Sequence, residues 1–176
     1  MANPNIPNGF KPYSHPFSGG GQPQVTEHDV LATNAEIGVG SPVKIGAGGL
    51  ELASASDALC GIAAEYKAAS SGGTCKVWSD PMQLFVAQTD DGTGVATALA
   101  AIGLNINFIG TGVSNRRSTS ELDESSATTT ATLPFKIIEL SKEFHSSAQN
   151  AFGEFNRLVV KINNHQLGSH TGTAGI

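Results

Sequence analysis

Five histidines, two cysteines and a few aspartates are the side chains with the most chemistry to offer. His15, His28, His145, His165 and His170 show no His-x3-His or His-Glu-x-x-His spacing. That spacing would set two ligands on one helical face for a divalent ion, so these read as surface or interface histidines. Cys60 and Cys75 lie in apolar, alternating segments and read as small buried hydrophobes, not as a disulfide framework. A nucleophilic role for Cys60 needs a neighbouring base, and an alternating strand is a poor place to expose a thiolate. Asp80, Asp90 and Asp91 are the best carboxylate group. Asp90-Asp91-Gly92 could offer oxygens to Ca2+, but Asp and Gly are turn formers first, and the segment reads as a polar turn. Gly46-Ala47-Gly48-Gly49 and Gly19-Gly20-Gly21 lack a following Gly-Lys-Ser/Thr and lead into no helix, so neither is a phosphate loop. No Gly-x-Ser-x-Gly elbow supports a serine hydrolase. The expectation is a protein that is not an enzyme, with no catalytic, cofactor-binding or metal-binding residues and no cofactor.

The elements around these residues read as sheet. Charged residues are only 14% of the chain, and Ser, Thr, Gly, Ala and Asn fill the gap. Long solvated helices need Lys and Glu on their outer faces, which favours strands and turns here. Pro42 to Ile45, the Gly46–Gly49 turn and Leu50 to Leu52 make a hairpin signal. Leu59 to Tyr66 alternates, with Cys60, Ile62, Ala64 and Tyr66 on one side. Thr74 to Ser79, Met82 to Ala87, Leu104 to Phe108, Leu133 to Leu140 and Arg157 to Ile162 complete the strand candidates, with a short one at Leu122-Asp123. Residues 95–102 are ambiguous, their alanines favouring a short helix that Thr97 and the flanking glycines weaken; Gly110 to Ser120 reads as a loop, and Ser141 to Phe155 as a long loop with room for one helical turn. The pattern predicts an all-β fold, a sandwich or barrel, a jelly-roll-like arrangement included. Trp78 and the phenylalanines of the strands are expected in its core.

Residues 1–24 differ from the rest, holding five of the eight prolines (Pro4, Pro7, Pro12, Pro16 and Pro23) and the Gly19–Gly21 run. Proline fixes φ and removes a donor, so this is expected to be an extended arm reaching at most ~80 Å. Its Phe10, Tyr13, His15 and Phe17 suggest an arm that lies against its own domain or a neighbouring chain. The reading is an arm over 1–24, a β domain over 25–166 and a flexible C-terminal tail over 167–176.

The formal net charge is −5, and Arg116-Arg117 is the only adjacent basic pair. Phosphate neutralisation needs several cations on one face, so no nucleic-acid partner is expected. No apolar run reaches a membrane span of about 18 residues, and the N-terminus lacks the regions of a secretory signal, so no membrane partner is expected and the chain is expected to be made in a cytoplasm.

Met1 to Asn5 with Gly9-Phe10, Gly40-Ser41-Pro42-Val43-Lys44, Leu59-Cys60-Gly61-Ile62-Ala63-Ala64, Val77 to Gln88, and Leu158 to Gln166 stand out as stretches. Together they resemble a group of short virion proteins encoded near the major capsid protein in tailed phages. The resemblance implies a capsid decoration or cement protein on the outer surface of a phage head, partnered by the major capsid protein and by itself, as a trimer first and a dimer second. In that role Phe10, Tyr13, His15 and Phe17 would be the interface candidates, and deleting 1–24 should leave a folded domain that binds the shell less well. Two rivals remain: a carbohydrate-binding β-sandwich module on the virion surface, and a hydrolase with a triad assembled from distant residues.

Overall fold

The computed structural model describes residues 3–14, 23–90, 98–145, 148–168 and 172–175. Among them are fifteen strands: β1 (Lys11–Pro12), β2 (Val25–Val30), β3 (Pro42–Gly46), β4 (Gly49–Leu52), β5 (Gly61–Ala63), β6 (Gly73–Trp78), β7 (Leu84–Gln88), β8 (Asn105–Ile109), β9 (Val113–Ser114), β10 (Arg117–Ser118), β11 (Glu121–Thr128), β12 (Phe135–Leu140), β13 (Phe144–His145), β14 (Ala148–Gln149) and β15 (Arg157–Ile162). The helical content described is one 3-10 turn at Leu99–Ala101. The fold is all-β, as the patterning predicts.

The strands form two curved units. One is a closed barrel in the order β2-β4-β3-β5-β6. The other is a six-stranded antiparallel sheet in the order β1-β7-β15-β12-β8-β11. This sheet nearly closes as well, because Thr89 just beyond β7 bridges Leu122 on β11 and the Asp90 N–H donates to the Leu122 carbonyl at 3.0 Å. Along the chain, the barrel is inserted between the first two strands of the sheet.

Alternation explains the packing. Phe85 and Ala87 of β7, Ile106 and Phe108 of β8, Phe135 and Ile137 of β12, and Leu158, Val160 and Ile162 of β15 point into one core. Val30, Ile37, Val43, Leu50, Cys60, Ala63, Cys75 and Val77 fill the barrel. The two units share material: Ala53, Leu59 and Ile62 come from barrel segments but pack in the sheet's core. Cys60 and Ile62 thus serve different cores, not the single strand face expected over Leu59 to Tyr66. The strand there is only Gly61–Ala63. Its first residue has to be glycine, since a Cβ at Gly61 would run into the Trp78 carbonyl oxygen.

Three further departures have local causes. β11 runs for eight residues where only Leu122-Asp123 read as strand. Its Ser and Thr have no apolar alternation to betray them, and the pairing with β8 is irregular between Asp123 and Thr128, where Ser126 Oγ accepts the Asn107 N–H at 2.8 Å. The loop over Gly110 to Ser120 contains the small β9–β10 pair, and Ser141 to Phe155 contains the β13–β14 pair. Two-residue strands are too short to leave a periodic signal.

The C-terminal segment is also placed. Asn105 Nδ2 donates to the Thr173 carbonyl at 2.7 Å, Lys136 Nζ to the Ala174 carbonyl at 2.8 Å, and the Gly175 N–H to the Thr129 carbonyl at 3.1 Å. Residues 172–175 are therefore held against the sheet.

Candidate functional site

The arm residues are the first place to look. Pro7 and Pro12 keep residues 3–14 extended, and Pro12 sits on the edge strand β1, where a missing N–H is tolerated. Lys11 and Pro12 pair with Val86 and Phe85 of β7, and the Tyr13 N–H donates to the Leu84 carbonyl at 2.8 Å. Asn3 Nδ2 donates to the carbonyls of Ala151 and Glu154 at 2.9 and 2.8 Å. Gln88, buried on β7, holds the arm from below. Its Oε1 accepts the Ile6 N–H at 3.0 Å, and its Nε2 donates to Asn5 Oδ1 and to Glu121 Oε1, each at 3.0 Å.

Phe10 is not a surface anchor. It is 1% exposed, stacked on Phe135 with ring centroids 4.4 Å apart and edge-on to Phe108 at 6.4 Å. Its N–H donates to the Gly40 carbonyl at 3.0 Å. Gly9 permits this approach: φ is +64°, and a Cβ there would lie 2.7 Å from Ser118 Cβ and 2.8 Å from the Gly40 oxygen. Residues 3–14 belong to the domain's own packing. The aromatic that stays near the surface is Tyr13, which is half-buried. Burial, with Glu139 and Glu143 nearby, holds its phenol above the ordinary range. His15 and Phe17 lie outside the described residues.

Beside the arm, the outward face of the sheet gathers cations. Lys11 on β1 and Arg157 on β15 flank β7 and line a crevice with Ile6, Asn8, Val86 and Gln88. Its interior has room for about 10 Å3, roughly one water molecule. Lys11 is held below the ordinary lysine range by burial and then by the charges of Arg157 and Arg117, with Glu143 opposing. Arg157 is lowered by burial, again with Glu143 opposing. On the far side of Gln88, burial pushes the Glu121 carboxyl up to about 7, the Gln88 amide opposing and Asp90 adding to the rise. The sequence reading missed these groups, because single Lys, Arg and Glu residues far apart in the chain carry no local signal.

The other candidates are placed away from solvent chemistry. Cys60 and Cys75 are buried, free thiols, pushed by burial to about 12 and about 11, which makes both poor nucleophiles. His165 is 4% exposed and accepts the Leu167 and Gly168 N–H groups at Nδ1, both at 3.1 Å, so it is a buried turn residue and not a surface histidine. His28 Nε2 lies 2.8 Å from Thr26 Oγ1 on the barrel wall. Asp80 Oδ1 accepts the Met82 N–H at 2.8 Å, and Asp90 Oδ1 accepts the Glu124 N–H at 3.1 Å. Asp80 thus organises a local turn, whereas Asp90 ties the end of β7 to β11, and Asp91 lies outside the described residues. Among the described residues no group of three or more His, Cys, Asp or Glu converges as a metal site. No helix there is long and apolar enough to cross a membrane.

Compared with models of protein families, with curated proteins and with solved structures, the chain finds no match.

Proposed function

We propose that this protein is a structural component of a tailed-phage head, bound to the outer surface of the shell and stabilising contacts between major capsid subunits. The observation that carries the reading is where the stretches resembling such proteins fall. Dispersed in sequence, they meet at the joint of the two β units. The Phe10 N–H donates to Gly40 at 3.0 Å, and the Gly40 N–H to Ala63 at 2.9 Å. Ala63 pairs with Val77, and Val86 with Val159. The Leu59 N–H donates to the Asn164 carbonyl at 2.9 Å, and the Leu59 carbonyl accepts the Gln166 N–H at 2.7 Å.

A rigid two-unit body suits a clamp. Packaged DNA pushes outward, and a protein seated across subunit boundaries opposes their separation, with weak contacts multiplied by symmetry. Self-association as a trimer, or else a dimer, would match the symmetry positions of an icosahedral shell. The carbohydrate-module reading is less well supported. Phe10, Phe85, Phe108 and Phe135 are committed to the core, and Arg116 covers the Tyr66 ring at 5.4 Å from its centroid.

The test is copy number in purified virions, by quantitative mass spectrometry against the major capsid protein. Hundreds of copies in a simple ratio to the shell subunit support the proposal. A dozen or fewer would move the protein to a portal, tail or fibre, and absence would end the virion reading.

A further inference from the structure

Lys11 and Arg157 are a half-buried pair of like charge whose side chains take part in no ion pair or hydrogen bond among the described residues. Partly buried charges normally find a counter-charge, because desolvation without one is costly. The nearby carboxylates do not fill the role. Glu143 is exposed and outside ion-pair distance, and Glu121 is engaged by Gln88. Arg117 adds a third positive charge to the surroundings. The pair is held by rigid elements, since Lys11 pairs with Val86 and Arg157 with Gln88 across the same strand. Between them lies the crevice lined by Ile6, Asn8, Val86 and Gln88.

We propose that this crevice is a docking site for an acidic segment of a partner protein chain, one carboxylate of which enters between Lys11 and Arg157. Size and charge select the ligand. Room for about one water-sized group admits one oxygen of a planar carboxylate, whereas a tetrahedral phosphate needs several oxygens cradled at once. Lys11 and Arg157, with Arg117 nearby, make this a local positive site to which a carboxylate is drawn. Ile6, 47% exposed at the rim, offers apolar contact to the segment flanking that carboxylate. The proposal does not depend on the virion reading, since it concerns only the chemistry of this face.

The probe is an end-capped hexaglutamate peptide, titrated at low salt into the full chain and followed by isothermal titration calorimetry, a readout that every variant retains. Hexaglutamine, acetate and inorganic phosphate are run beside it. Saturable hexaglutamate binding is expected, weakened roughly fivefold or more by Lys11→Gln or Arg157→Gln and retained in Lys11→Arg. Circular dichroism shows whether each variant is folded, and removing an unbalanced charge should not unfold either glutamine variant. Three results would overturn the proposal: hexaglutamate binding that both glutamine variants leave unchanged, phosphate binding without hexaglutamate binding, or acetate binding as tightly as the peptide. The last would make the ligand a free small carboxylate.

Discussion

Phe10 and Glu121 show what single residues contribute. Phe10 stacks on Phe135 and meets Phe108 edge-on within a sealed core. Phe10→Ala should therefore cost about 3–5 kcal/mol, measured by urea denaturation. Glu121 has the opposite character, a carboxyl whose burial makes ionisation unfavourable. Its folded pKa of about 7 stands above the ordinary 4.5, so between these values the folded state holds more protons than the unfolded one. Stability should fall as pH rises through that window and level off above it. The group is partly exposed and solvent reduces the effect, so the check is a comparison: Glu121→Gln should flatten the pH dependence of the melting temperature. The thiols and the core phenylalanines of the strands were legible from sequence, because burial follows from alternating apolar context. Phe10 was legible only as an aromatic needing a partner, since its stacking ring lies on β12, far along the chain.

At the scale of elements, the sequence discloses strands that alternate and hides those that do not. β3, β4, β6, β7, β8, β12 and β15 follow from period-two patterning and turn residues. β11 does not, because polar side chains and an irregular register replace alternation over much of its length. The arm was legible as extended from its prolines, but not as the edge strand of the sheet, because edge pairing depends on a partner remote in sequence. Its docking also rests on close backbone approach. Gly9→Ala should destabilise by about 1–3 kcal/mol, since φ is +64° and the Gly40 oxygen lies 2.8 Å from the new Cβ. Removing residues 1–14 deletes β1 and Phe10 together. It should lower the urea midpoint by at least as much as Phe10→Ala alone, so the folded domain expected after loss of residues 1–24 should be a markedly less stable one.

At the scale of the molecule, two cores are tied by shared residues. Leu59 and Ile62 leave barrel segments to pack in the sheet, and Trp78, the sole tryptophan, packs against the sheet core from the last strand of the barrel. The units should therefore unfold together. Trp78 fluorescence and far-ultraviolet circular dichroism should give coincident transitions, and separate midpoints would show two independent units. Insertion of the barrel between β1 and β7 also has a consequence for synthesis. The first strand of the sheet leaves the ribosome early, while Phe108 and Phe135 are still untranslated. At roughly 5–20 residues per second, Phe10 waits on the order of ten seconds for the ring it stacks upon. The barrel strands β2–β6 form one continuous stretch and are all translated in that interval, ahead of the sheet strands that cover Leu59 and Ile62. The nascent chain thus passes through a stage in which it carries a sticky aromatic leader with no ring to receive it, and an occupant for that leader other than Phe135 would be a route to misassembly.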